Sequence, residues 1–175
     1  MTDYFHRLGL PRRFAVDAAD LERAYLARSR AVHPDYHLAG SSADLNASLD
    51  LSAALNEAYN NLRDPFLRAE HLLGLMGGPS AAEQKQMPPA FLAEMLDARE
   101  ELEAARGSPT KTEQLEQAFG SRLAGVLDDV AAAFGRLEPV AADSPERVNL
   151  LARIRGLLNA ARYIRGLIRD LNAEQ

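Results

Sequence analysis

The sequence contains no cysteine and no tryptophan. The first absence excludes disulfides, cysteine-nucleophile chemistry and thiolate metal sites. Lysine is nearly missing too: of 20 basic side chains only Lys85 and Lys111 are lysines, and the rest are arginines. That skew reads as composition bias, and Arg, Ala and Leu are all good helix formers. No apolar run approaches the length of a membrane span, because charge interrupts every stripe, so no membrane partner is expected. A net charge of −5 argues against a general nucleic-acid binder. Met1 leads straight into Thr2-Asp3-Tyr4-Phe5 without a basic or an apolar leader region. No secretory signal is therefore expected, and the cytoplasm is the expected compartment. Glycine and proline are sparse and clustered, which suits helices separated by short loops.

What remains is helical periodicity, and no stretch shows a convincing strand pattern. Thr2 is a candidate cap for a short helix over residues 3–8, ended by Gly9 and Pro11. Asp17 reads as the N-cap of a helix from about Ala18, with Leu21, Tyr25 and Val32 on one face and Arg23 and Arg30 on the opposite one. Arg28 falls within the apolar stripe, where it must snorkel or find a partner. Pro34 stops this helix, which places His33-Pro34-Asp35 at the tip of an antiparallel hairpin. A polar loop over Leu38 to Ser42 leads to a helix of about 18 residues. Its expected inner face comprises Leu45, Leu49, Leu51, Ser52, Leu55, Asn56, Tyr59 and Leu62. Asp64-Pro65 pairs an N-cap with proline at the first helical position, opening a helix to about Leu75.

Gly77-Gly78-Pro79-Ser80 is the clearest break in the chain. The division read from it is residues 1–76, a connection over 77–88, and residues 89–175. Three amphipathic helices follow: Pro89 to about Arg106, one capped by Thr110 with Glu113 in capping-box register, and one opened by Ser144-Pro145. Short loops between them predict a three-helix bundle.

No catalytic constellation emerges, so the chain reads as a non-enzyme without a cofactor. His6, His33, His37 and His71 are scattered, and no pair has metal-ligand spacing with a carboxylate. Neither a phosphate-binding glycine loop nor a serine elbow is present. Three surfaces remain. The first is Arg23 and Arg30 leading to Asp35, whose carboxylate at a hairpin tip suits a partner arginine; a solvated face explains the two arginines about as well. The second is on the helix from Pro89, where Leu92 and Leu96 lie off the stripe of Phe91, Met95, Ala98 and Leu102, flanked by Asp97, Arg99 and Glu100. A wide inner face or an exposed apolar patch fits that pattern. The third is the ridge Arg155, Arg162, Arg169, expected to meet the acidic side of the helix over Glu94 to Glu103.

Leu21 and Tyr25 leading into His33-Pro34-Asp35 resemble the second helix and loop of J-domains, co-chaperone modules that act on DnaK-type ATPases. Residues 56–65, Asn-Glu-Ala-Tyr-Asn-Asn-Leu-Arg-Asp-Pro, look like the third J-domain helix and its end. Arg68-Ala69-Glu70-His71-Leu72-Leu73 is similar to the HscB family of iron–sulfur cluster assembly co-chaperones, as is the run from Phe91 to Leu102. Asp3-Tyr4-Phe5 and Leu8-Gly9-Leu10-Pro11 fit as well. The resemblance is specific over residues 3–76 and 88–103.

It implies an all-α, L-shaped two-domain protein: a J-domain helix hairpin, then a three-helix client-binding bundle. The partners implied are a DnaK/HscA-type chaperone ATPase and an IscU-like iron–sulfur scaffold protein, for a monomer or weak homo-oligomer. His33, Pro34, Asp35, Arg23 and Arg30 carry over as the chaperone-binding set. Leu92, Ala93, Leu96, Asp97, Arg99 and Glu100 match scaffold-binding positions, and Tyr163 is the candidate aromatic contact. In this chain Tyr36-His37 follows Asp35 where Lys and an aromatic are usual, and Ala93 stands where a larger apolar residue is common. The alternatives are a J-domain protein with a different client and a helical interaction or dimerisation module.

Overall fold

The computed structural model describes residues 2–32 and 42–173, all the regular structure among them being helical. The chain divides into two compact units, Met1–Leu75 and Met76–Gln175. The first holds α1 (Tyr4–Leu8), α2 (Ala18–Ala31), α3 (Ser42–Arg63) and α4 (Pro65–Leu75); the second holds α5 (Pro89–Ala105), α6 (Pro109–Leu137) and α7 (Pro145–Ala173). The tripeptide His33-Pro34-Asp35 and the loop after it lie outside the described residues, as does the side chain of Leu45.

In the first unit α2 and α3 form the hairpin that the periodicity predicts, with α1 packed against both. Asp17 caps α2 by accepting the Asp20 N–H at 2.9 Å. Asp3, not Thr2, caps α1, accepting from His6 N–H at 3.1 Å. Asp64 Oδ1 accepts from Phe66 and Leu67 at the start of α4. The core gathers Phe5, Leu8, Leu21, Leu55, Ala58, Leu62, Phe66, Ala69, Leu72 and Leu73.

The expected inner face of α3 needs correction. Its buried stripe is Ser48, Leu55, Ala58 and Leu62, whereas Leu49 is 51% and Leu51 53% exposed, and Asn56 is exposed as well. At about 100° per residue Leu49 points well away from that stripe. Leu51 shares the stripe's angle but lies beyond Ala54, whose carbonyl takes the Arg7 guanidinium at the end of α1 (3.2 Å).

Arg28 is exposed and not part of the core. Its guanidinium lies over Gly9, which ends α1 with φ +67°; a Cβ there would meet Arg28 Nη2. Position 9 thus favours glycine for its left-handed backbone, whereas the exposed arginine above it is free to swing aside.

In the second unit, α6 and α7 are antiparallel helices of 29 residues each, roughly 43 Å long at 1.5 Å per residue. Met95, Ala98 and Leu102 of α5 join Phe119 of α6 and Ile164, Leu167 and Leu171 of α7 in one core cluster. The other half of the hairpin buries Val130, Ala133, Phe134 and Leu137 with Leu151, Ile154 and Leu158. Ser144 Oγ accepts from Arg147 N–H, with Pro145 opening α7. Helix α6 starts at Pro109 after Ser108, so Thr110 lies inside its first turn instead of capping it.

The connecting segment is fastened to α7. Arg155 Nε donates to the Pro79 carbonyl at 2.9 Å, Asn159 Nδ2 to the Gln84 carbonyl at 2.7 Å, and Gln84 Nε2 to the Ala152 carbonyl at 3.0 Å. Within it, Ser80 and Glu83 exchange hydrogen bonds in a one-turn capping box, Ser80 N–H to Glu83 Oε2 and Glu83 N–H to Ser80 Oγ. The Ser80 backbone N–H, and after it the Ser80 hydroxyl, hold the Glu83 carboxyl below its ordinary pKa.

Candidate partner-binding surfaces

On α2 both predicted arginines face solvent. Arg23 pairs with Asp20 one turn earlier, an exposed contact worth little by itself. Between Arg23 and Arg30 the same face exposes Leu26, which the periodicity did not single out. Two contacts hold this face in register with α3. Tyr25 O–H donates to Asn56 Oδ1 at 2.7 Å, and its ring stacks on Tyr59 with centroids 4.5 Å apart. Buried Ser48 then donates its hydroxyl to the Val32 carbonyl, satisfying an orphan acceptor at the end of α2. The chain therefore leaves α2 from a fixed point, immediately before His33.

A second network pins α1 to the rest of the unit. His71 is buried, and its Nε2 accepts the Tyr4 backbone N–H at 3.1 Å. An accepting Nε2 carries no proton, so the ring is held neutral. Burial lowers its pKa below the ordinary 6.5, with Asp3 pulling the other way. The ring lies 4.3 Å from that of Tyr4 and 5.9 Å from that of Phe5, centroid to centroid. Tyr4 O–H donates to Glu57 Oε1 at 2.7 Å, which raises the phenol pKa. Arg12 Nε meets Asp3 Oδ2 at 2.6 Å. Burial acts against the charge of Asp3, but the His6 N–H and Arg12 outweigh it and its pKa falls.

Arg68 is buried as well. Its Nη1 donates to the Leu62 carbonyl at 2.7 Å, and its guanidinium sits 5.1 Å from the Phe14 ring centroid. Burial pushes its pKa down, with Asp64 opposing. In the run Arg68 to Leu73 only Glu70 is not buried. The motif that carried the family resemblance there is thus packing inside the unit, not a surface.

On the second unit, α5 presents two faces. Met95, Ala98, Leu102 and Ala105 are buried, while Leu92 is 44% and Leu96 60% exposed. Ala93, Asp97, Arg99 and Glu100 are exposed beside them. Across on α7, Tyr163 is 48% exposed, and its ring meets Phe91 edge-on at 5.9 Å. Arg99 reaches Asp170 of α7 at 3.9 Å, which sets one end of the patch. All seven predicted residues of this surface are therefore accessible.

Two members of the arginine ridge on α7, Arg155 and Arg169, have other partners than expected. Arg155 is buried and bonded to Pro79, and Arg169 pairs with neighbouring Asp170 at 3.1 Å. On the acidic side of α5, Glu94 pairs with Arg122 of α6. Among the described residues no group of three or more His, Asp or Glu side chains is placed to hold a metal ion. No described helix is long and apolar enough to cross a membrane.

For these two helical units with exposed apolar and charged faces, comparison with known proteins defines the class, the co-chaperones. Residues 87–172 match the family model described as the HSCB C-terminal oligomerisation domain. The co-chaperone protein HscB homolog of Chromobacterium violaceum is 40% identical over 73% of this chain and 71% of its own length. The co-chaperone protein HscB of Proteus mirabilis is 33% identical over 87% of this chain and 91% of its own. The crystal structure of human co-chaperone protein HscB superposes with a TM-score of 0.82 at 26% identity, covering 99% of this chain and 82% of that one. This chain belongs to the HscB co-chaperone family.

Proposed function

We propose that the protein stimulates ATP hydrolysis by a DnaK/HscA-type chaperone and delivers to it an IscU-like iron–sulfur scaffold, in the cytoplasm and without a cofactor of its own. In this reading residues 1–76 serve as the J-domain. His33, Pro34 and Asp35 engage the ATPase, and Arg23 and Arg30 present cations along the approach. The bundle over 89–175 holds the scaffold on Leu92, Ala93, Leu96 and Tyr163, with Asp97, Arg99 and Glu100 at the rim. The observation that carries the reading is the exposure of Leu92 and Leu96 on a helix whose neighbouring stripe is buried. Two large apolar side chains left on one flank, ringed by charge, suit a protein partner.

The test is Asp35→Asn. It removes the charge with almost no change of shape, so a charge-assisted bond to the ATPase is lost while the fold stands. Stimulation of the partner's steady-state ATPase should disappear, and the circular dichroism spectrum should not change. A mutant that stimulates as well as the parent would defeat the J-domain reading.

A further inference from the structure

We infer that Phe91 is the positioning residue of the scaffold-binding surface, holding Leu92 of α5 and Tyr163 of α7 in fixed relation. The inference rests on the scaffold-binding reading and extends it to a residue that makes no outward contact itself.

Helix α5 begins without a side-chain cap, Pro88 preceding Pro89. Its first inward anchor is Phe91, half-buried against the core cluster of the bundle. Both neighbouring helices contact this ring. Tyr163 of α7 meets it at 79° between ring planes, the edge-to-face arrangement that aromatic pairs prefer. Arg122 of α6 places its guanidinium 5.8 Å from the Phe91 centroid and pairs with Glu94, one turn along α5. The ring thus fixes how α5 is rotated where it enters the bundle. Leu92 is the next residue, and Leu96 follows one turn later, so their direction is set by that rotation. The same ring restricts Tyr163, whose exposed side chain would otherwise sample several rotamers. A binding surface gains when its aromatic anchor is ordered before the partner arrives.

Phe91→Leu keeps an apolar side chain in the core and deletes both ring contacts. Its affinity for a purified IscU-type scaffold should fall about three- to tenfold, the equivalent of one aromatic pair. The melting temperature should drop by only a few degrees. Coupling is the discriminating readout: the affinity loss of Phe91→Leu/Tyr163→Ala should be smaller than the product of the single losses. Phe91→Tyr, which retains the ring, should restore binding. Unchanged affinity in Phe91→Leu, or losses that multiply independently, would reduce Phe91 to packing and overturn the inference. Leu92→Ala/Leu96→Ala serves as the control for the underlying reading. If that variant binds the scaffold normally, the client surface is misassigned. The ring resonances of Tyr163 in Phe91→Leu then decide the positioning contact alone: a shift supports it and an unchanged spectrum overturns it.

Discussion

His71 is where acid should act on the first unit. Its folded-state pKa is lowered, mainly by burial, so the unfolded chain takes up the proton more readily than the folded one. The stability it contributes is fully present above 6.5, its ordinary value, and is lost as pH falls through the lower folded value. Protonation turns the Nε2 acceptor into a donor facing the Tyr4 N–H, costing on the order of 1 kcal/mol for the bond itself. Asp3, also lowered, contributes in the same direction but only as pH falls below its ordinary 3.8. Thermal melts at pH 7.5 and pH 5 should therefore show a loss in the parent protein that His71→Gln, which keeps an acceptor without titrating, largely abolishes. An equal loss in both would assign the effect elsewhere. Residues of this kind were illegible in the sequence. Ser48, Arg68 and His71 carry polar atoms into the core, and their partners are Val32, Leu62 and Tyr4, which periodicity does not pair with them.

Among the elements, α5 was the most legible. Its stripe and the residues off it were separable at about 100° per residue, and the buried and exposed sets follow that division. Leu92→Ala/Leu96→Ala should then cost less than about 1 kcal/mol of stability, as surface changes do, where two core truncations would cost roughly 2–5 kcal/mol each. Scaffold affinity should fall at least tenfold, as for central apolar anchors. Chemical denaturation paired with calorimetric binding measures both, and a large fall in midpoint would mean that the pair supports the core. Helix α3 was legible in extent but not in face. Counting apolar residues placed Leu49 and Leu51 inside, and both are about half exposed. Caps divided the same way. Asp17, Asp64 and Ser144 were read from sequence, each followed by residues that fit a first turn, whereas Thr2 and Thr110 lost to Asp3 and Ser108 nearby.

For the whole molecule, Gly77-Gly78-Pro79-Ser80 reads as a break, while the second compact unit starts at Met76 and takes in residues 77–88. The fastening of residues 79–84 to α7 was not visible, since it depends on Arg155 and Asn159 about 75 positions away. A fragment over 76–175 should fold and bind the scaffold without stimulating any ATPase. The shorter 89–175 loses the acceptors of two buried side chains and should be less stable by roughly 1–3 kcal/mol. Urea unfolding of the two compares them, and equal midpoints would show that the fastened segment adds nothing.

The bond from Tyr4 to His71 also bears on how the protein is made. Helix α1 has five residues, too few to persist alone, and its first amide finds its acceptor 67 residues later. At about 5–20 residues per second, roughly 3–13 s of synthesis separate the two. Helix α1 therefore cannot complete its hydrogen bonding until His71 of α4 has been made. Phe5 and Leu8 of α1 can be covered earlier, by α2 and α3, so the bond to His71 is the contact that closes last.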